Sequence, residues 1–143
     1  MPNMENISHF VSQNLLFCVS FILLLGIYII FELTQVKKSQ YNLSVADAVM
    51  TVNRNKGIYL DTRDSEAFSN AHIIGAQNIS YPELEEKNKK LVKHKDKPIV
   101  IYGEQPEKAM LILRKAGFEQ VYTLQGGLAA WLQASYPVKS LSK

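Results

Sequence analysis

The stretch Leu15–Phe31, LLFCVSFILLLGIYIIF, constrains this chain more than any other. It is interrupted only by Cys18, Ser20 and Gly26, and the uncharged stretch extends back to Ile7. A helix packed inside a soluble domain carries a polar face, and this run has none. Roughly 20 such residues cross the hydrocarbon core of a bilayer. A cleaved secretory signal would need basic residues ahead of a shorter apolar core and a small-residue cleavage site. Lys and Arg are missing before the run, and Phe31-Glu32-Leu33 follows it. The pattern therefore predicts a retained transmembrane helix over residues 15–33, with an N-terminal tail at 1–14 and a linker at 34–40.

Charge sets the orientation. All sixteen Lys and Arg residues lie after Val36, and the first 36 residues carry only Glu5 and Glu32. Lys37 and Lys38 directly follow the apolar run, so the positive-inside rule predicts a single-pass protein of the cell (inner) membrane with its C-terminal part cytoplasmic. The small residues at 18, 20 and 26 form no pair four apart, which gives no basis for a close-packed helix dimer. Cys18 is the sole cysteine, so neither a disulfide nor a cysteine zinc site can form within one chain. Between Phe17 and Val19 its thiolate is disfavoured, and it reads as a small apolar residue.

About a hundred residues remain, enough for one domain with its own core. Strand and helix patterns alternate through them. SVADAVMTVN opens with Ser44 as an N-cap and Asp47 three residues on, and Val45, Ala48, Val49 and Val52 make one apolar stripe. GIYLD, PIVIY and QVYTL read as buried strands, and AQNI as a weak one leading to a helix start at Ser80-Tyr81-Pro82, with Ser80 as its cap. PEKAMLILRKA ends in basic residues and Gly117, a C-terminal helix signal, and GLAAWLQAS begins a helix after Gly126-Gly127. Strand followed by helix, repeated, predicts an α/β fold with a mostly parallel sheet covered on both faces.

LDTRDSEAFSNAHIIGAQNIS resembles the entry pattern of the rhodanese-like family. The matching positions are Asp61, Arg63, Glu66, His72, Ile73, Gly75, Ala76, Asn78 and Ile79, with Ala71 where the family usually has glycine. KAGFEQVYTLQGGLAAW resembles a second family pattern through Gly117, Phe118, Val121, Leu124, Gly126, Gly127 and Trp131. The likeness implies a rhodanese-like three-layer α/β/α domain with a five-stranded sheet, spanning residues 41–138 and leaving a C-terminal tail at 139–143. In active members the strand equivalent to Ile99–Tyr102 is followed by a cysteine and an anion-cradling loop that ends in arginine. There the thiolate accepts a sulfane sulfur, and backbone N–H groups with a helix N-terminus stabilise the persulfide. This chain has Gly103, Glu104, Gln105, Pro106, Glu107 and Lys108, in a loop shorter than the family's usual one. Pro106 removes an N–H donor, and the two glutamates place negative charge where a sulfur anion would sit. The loop thus reads as a degenerate active site, with no catalytic residue assigned.

Other landmarks have structural readings. Asp61 and Arg63 are expected to pair and fix neighbouring loops, His72 to hydrogen-bond within a loop, and Trp131 to pack in the core with Leu128 and Leu132. His9 and His94 are isolated, no pair has metal-ligand spacing, and no cofactor is implied. Lys87, Lys89, Lys90, Lys93, Lys95 and Lys97 form the main charge cluster. They read as a solvated face, or as an attraction to anionic lipid or an acidic partner. Nucleic acid is disfavoured, since no aromatic stacking pattern accompanies the lysines. Two functions follow. One is a membrane-anchored domain inactive in sulfurtransfer that binds or scaffolds a membrane or cytoplasmic protein. The other is a sulfurtransferase that works on a persulfide supplied by a partner.

Overall fold

The computed structural model describes residues 3–141, the side chains of 37–39 excepted. Two compact units emerge, Met1–Ser39 and Gln40–Lys143.

The first unit is helical. Helix α1 (Met4–Gln13) exposes an apolar stripe of Met4, Ile7, Phe10 and Val11. Asn14 ends it by donating its side-chain amide to Phe10 O at 3.0 Å. Helix α2 (Leu15–Tyr41) follows at once and contains a 22-residue stretch, Leu15–Val36, long and apolar enough to cross a membrane. At 1.5 Å per residue such a stretch extends about 33 Å. Its two aliphatic hydroxyls are satisfied within the helix, Ser20 on Phe17 O at 2.9 Å and Thr34 on Phe31 O at 2.7 Å. Met4–Gln13 of the expected tail and the whole of the expected linker, 34–40, are therefore helical. Residues 34–40 contain neither Gly nor Pro, so nothing in them breaks the hydrogen-bond ladder until the chain pairs into a sheet at Asn42. Lys37 and Lys38, on which the orientation rests, have side chains outside the described residues.

The second unit is the predicted α/β domain. Five parallel strands lie in the order β1 (Asn42–Leu43), β6 (Val121–Leu124), β5 (Ile99–Tyr102), β2 (Ile58–Asp61) and β4 (Gln77–Asn78). A separate antiparallel pair joins β3 (His72–Ile73) to β7 (Val138–Lys139). β1, β3 and β7 are two residues each, too short to show alternation, and the sequence pattern misses them.

Period-two alternation sends side chains to both faces of the sheet. Leu60, Ile99, Ile101 and Val121 pack with Leu84, Leu91 and Leu113 on one side. Tyr59, Val100, Tyr102 and Leu124 pack with Ala48, Val52 and Trp131 on the other. Helix α6 (Pro106–Lys115), the short helix α5 (Leu84–Lys87) and the 3-10 segment Asn88–His94 cover the first face. Helices α3 (Val45–Asn55) and α7 (Gly127–Gln133) cover the second.

The predicted cap of α3 forms, with Ser44 Oγ accepting from Asp47 N at 3.2 Å. Ser80 behaves differently. Its hydroxyl donates to the Glu83 carboxylate at 2.8 Å and caps no backbone N–H, because the chain after it makes a 3-10 turn (Tyr81–Glu83). Leu132 also departs from its core assignment: it is exposed, while Leu128 packs beside Trp131. Trp131 is buried edge-on to Tyr59 and donates its indole N–H to Pro137 O at 3.0 Å.

Candidate functional site

Parallel topology brings the ends of β2, β5 and β6 together, and the chemistry-bearing residues cluster there. Asp61, the last residue of β2, is fully buried. It receives four hydrogen bonds from Arg63. The backbone N–H reaches Oδ1 at 2.9 Å, Nε reaches both oxygens at 3.0 and 3.1 Å, and the terminal nitrogen reaches Oδ2 at 2.6 Å. That terminal nitrogen also donates to Ala71 O at 2.7 Å. The hydrogen bond to Asp61 holds the Arg63 guanidinium above its ordinary pKa, outweighing the opposing effect of its burial. Asn78 closes the ring, its amide donating to Arg63 O at 2.9 Å and to Asp61 O at 3.2 Å.

The loop after β5 is locked from the same side. Thr62 is fully buried, and its hydroxyl donates to Glu104 O at 2.7 Å and to Tyr102 O at 3.2 Å. Tyr102 is also fully buried. Its hydroxyl accepts from Ile73 N at 3.1 Å, and burial raises its pKa well above the ordinary phenol value. Gly103 adopts φ +113°, a backbone conformation that side chains rarely take. A Cβ at this position would lie 2.9 Å from Arg63 Cγ, 3.0 Å from Asp61 Oδ1 and 3.1 Å from Arg63 N. The space a cysteine side chain needs is therefore filled by the Asp61–Arg63 pair.

Gln105 follows in the left-handed region at φ +43°, and Pro106 begins α6 without an N–H to offer. Glu104, Gln105, Glu107 and Lys108 are exposed. Among the described residues only Arg63–Asp61 and Lys87–Glu83 form ion pairs, so neither loop glutamate is neutralised by one. Beside the loop lies a cavity of about 400 Å³, bordered by Tyr102, Gly103, Pro106, Glu107, Thr123 and Gly127. Two of its hydroxyls have partners: Thr123 donates to Asn42 Oδ1 at 3.1 Å, and Tyr102 accepts from Ile73 N. No thiol lies in this unit, the sole cysteine being Cys18 on α2. The cavity presents the Glu107 side chain and the glycine backbone at 103, 126 and 127.

Comparison with known proteins assigns the architecture. The rhodanese-like domain family matches residues 44–134. The chain belongs to this family. It is 28% identical over 139 residues to the uncharacterised protein YibN of Escherichia coli strain K12, covering 94% of this chain and 97% of that protein. It is 29% identical over 104 residues to the thiosulfate sulfurtransferase GlpE of Coxiella burnetii, covering 71% of this chain and 94% of GlpE. Among solved structures, a full-length protein from Lactobacillus plantarum superposes with a TM-score of 0.65 at 26% identity, covering 81% of this chain and 99% of that one.

Within the rhodanese-like domain the other singled-out residues have distinct places. His72 is buried, stacks on Phe68 with ring centroids 3.9 Å apart, and its Nδ1 lies 2.7 Å from Phe68 O. A hydrogen bond to that carbonyl requires Nδ1 to carry the proton. Gly75 turns the chain between β3 and β4 at φ +80°. Gly126 starts α7 at φ +74°, where a Cβ would lie 2.6 Å from Ala130 Cβ. Lys87 pairs with Glu83, while Lys89, Lys90, Lys93 and Lys95 are exposed. Among the described residues no three His, Cys, Asp or Glu side chains cluster as metal ligands. Sequence reasoning missed Thr62, whose two carbonyl contacts lie 40 and 42 residues away in the chain.

Proposed function

We propose that this chain is a single-pass protein of the cell (inner) membrane whose cytoplasmic rhodanese-like domain has lost sulfurtransfer and binds a membrane or cytoplasmic protein as a scaffolding module. The observation that carries this reading is the state of position 103. Glycine stands where active relatives of the fold hold the nucleophile, and a side chain there would collide with Arg63 and Asp61. Shortening of the loop, Pro106 and the flanking glutamates remove the remaining means of stabilising a persulfide. The anchoring part of the proposal rests on the unbroken apolar stretch Leu15–Val36, none of it buried in the protein. The match to YibN over 94% of the chain extends into this helix as well as the domain.

The test is thiosulfate:cyanide sulfur transfer by the purified full chain. Turnover at background is expected, because losing a covalent nucleophile costs orders of magnitude. Turnover well above background by the unmodified chain overturns the proposal. Turnover only when a persulfide-carrying protein replaces thiosulfate supports the alternative, a transferase that depends on a partner's cysteine.

A further inference from the structure

In a parallel sheet every strand starts at the same end, and each covering helix runs back to finish there. In this domain that end is basic. Arg54 and Lys56 close α3 ahead of β2, Arg114 and Lys115 close α6 ahead of β6, and Lys93, Lys95 and Lys97 precede β5. Their loops are joined. Ile99 N donates to Gln120 O at 2.8 Å, Gln120 Nε2 to Asp96 O at 3.2 Å, and Ile58 N to Pro98 O at 2.9 Å. The Lys95 ammonium lies across Gly117, 2.9 Å from where a Cβ would sit. Asp96 and Glu119 are the carboxylates among these closing and connecting segments.

The other end carries the opposite charge. Asp47, Asp64, Glu66, Glu104 and Glu107 stand at helix starts or in the loops after strands, outnumbering Lys108, Lys139 and the Arg63 already paired with Asp61. Complementing helix dipoles accounts for Arg54, Arg114 and Lys115 at helix ends and for several of these acids. Lys97 lies beyond the last helical turn and its cap at Lys95, so dipole complementarity does not explain it. The chain also enters the domain at the basic end. Tyr41 lies with its ring 6.5 Å from that of Tyr122, the second residue of β6, and beneath the Arg114 guanidinium at 3.8 Å.

We propose that the strand-start end of the domain, through Lys56, Lys93, Lys95, Lys97 and Lys115, rests on the anionic headgroups of the bilayer, leaving the Gly103–Lys108 loop facing away from it. This inference rests on the membrane anchoring proposed above. An anchored domain meets the surface at high effective concentration, and each nearby basic residue favours an anionic surface by roughly fivefold. The acidic end is repelled by the same field, which exposes the altered loop to a partner from solution.

Lysine footprinting of the full chain in nanodiscs tests it. The chain is placed in discs of phosphatidylcholine alone or with phosphatidylglycerol, labelled briefly with an amine-reactive ester, and read by peptide mass spectrometry. Labelling at Lys56, Lys93, Lys95, Lys97 and Lys115 is expected to fall by about threefold or more on anionic discs and to recover in high salt, as screening of a surface potential requires. Lys108, at the opposite end, serves as internal control and should not change. Equal labelling on both lipids, or protection of Lys108 alongside the others, overturns the orientation while leaving the anchor intact. A chain absent from both kinds of disc instead overturns the anchor, and this proposal with it.

Discussion

At residue scale, position 103 is where an added side chain would meet Asp61 and Arg63. Gly103→Ala is expected to destabilise the domain by about 1–3 kcal/mol, since it forces a side chain into a left-handed backbone against Arg63. Urea unfolding followed by fluorescence of Trp131, the only tryptophan, measures this. Gly103→Cys should carry a similar penalty and still give no thiosulfate:cyanide turnover. Activity restored by that one change would mean that the loop retains an anion cradle. Asp61→Ala should cost about 2–3 kcal/mol in the same unfolding assay, as it strands the Arg63 guanidinium beside the loop with only Ala71 O to accept from it. Both residues are visible in the sequence as a strand-end Asp-Thr-Arg. Their occupation of the space at 103 is not, because it depends on φ at a glycine that sequence patterns leave free.

At the scale of elements, caps and short helices are local and hence predictable. Ser44→Ala should lower stability by about 1 kcal/mol through loss of the Asp47 N–H acceptor, read as a shift in urea midpoint. The 3-10 segment Asn88–His94 carries a pH dependence that the sequence does not display. His94 has a buried Nδ1 without a hydrogen-bond partner, and its Nε2 faces the Gln77 amide at 3.2 Å. Burial lowers its pKa, helped by Lys93 and Lys97. A depressed folded pKa means that the unfolded chain binds the proton more readily. The domain should therefore keep this contribution at neutral pH and lose it as pH falls below about 6.5, the unfolded histidine value. His94→Gln should flatten the slope of stability against pH between 7 and 5. An unchanged slope would show that other groups set it.

For the whole molecule, the full chain should stay in the membrane pellet through a high-salt wash, whereas a chain lacking residues 1–36 should be soluble and folded. A reporter active only in the periplasm, fused after Lys143, should remain inactive if Lys37 and Lys38 orient the helix as the positive-inside rule demands. By itself the sequence determined the parallel α/β architecture and the apolar helix ahead of it. Hydrophobic period and run length report directly on what must leave water, which is why Ile99–Tyr102 and Leu15–Val36 were legible as a buried strand and a stretch able to cross a membrane. The two-residue strands β1, β3 and β7 carry no such period, and only pairing partners 65 or more positions away create them: Asn42 with Thr123, Ile73 with Val138. Tertiary structure alone decided that Thr62 holds the loop and that Asp61 and Arg63 fill the space beside Gly103. It also decided that the basic residues of separate helices and connections gather at one end of the sheet. The physical reason is common to all three: contacts between distant segments arise from packing geometry, which local periodicity does not encode.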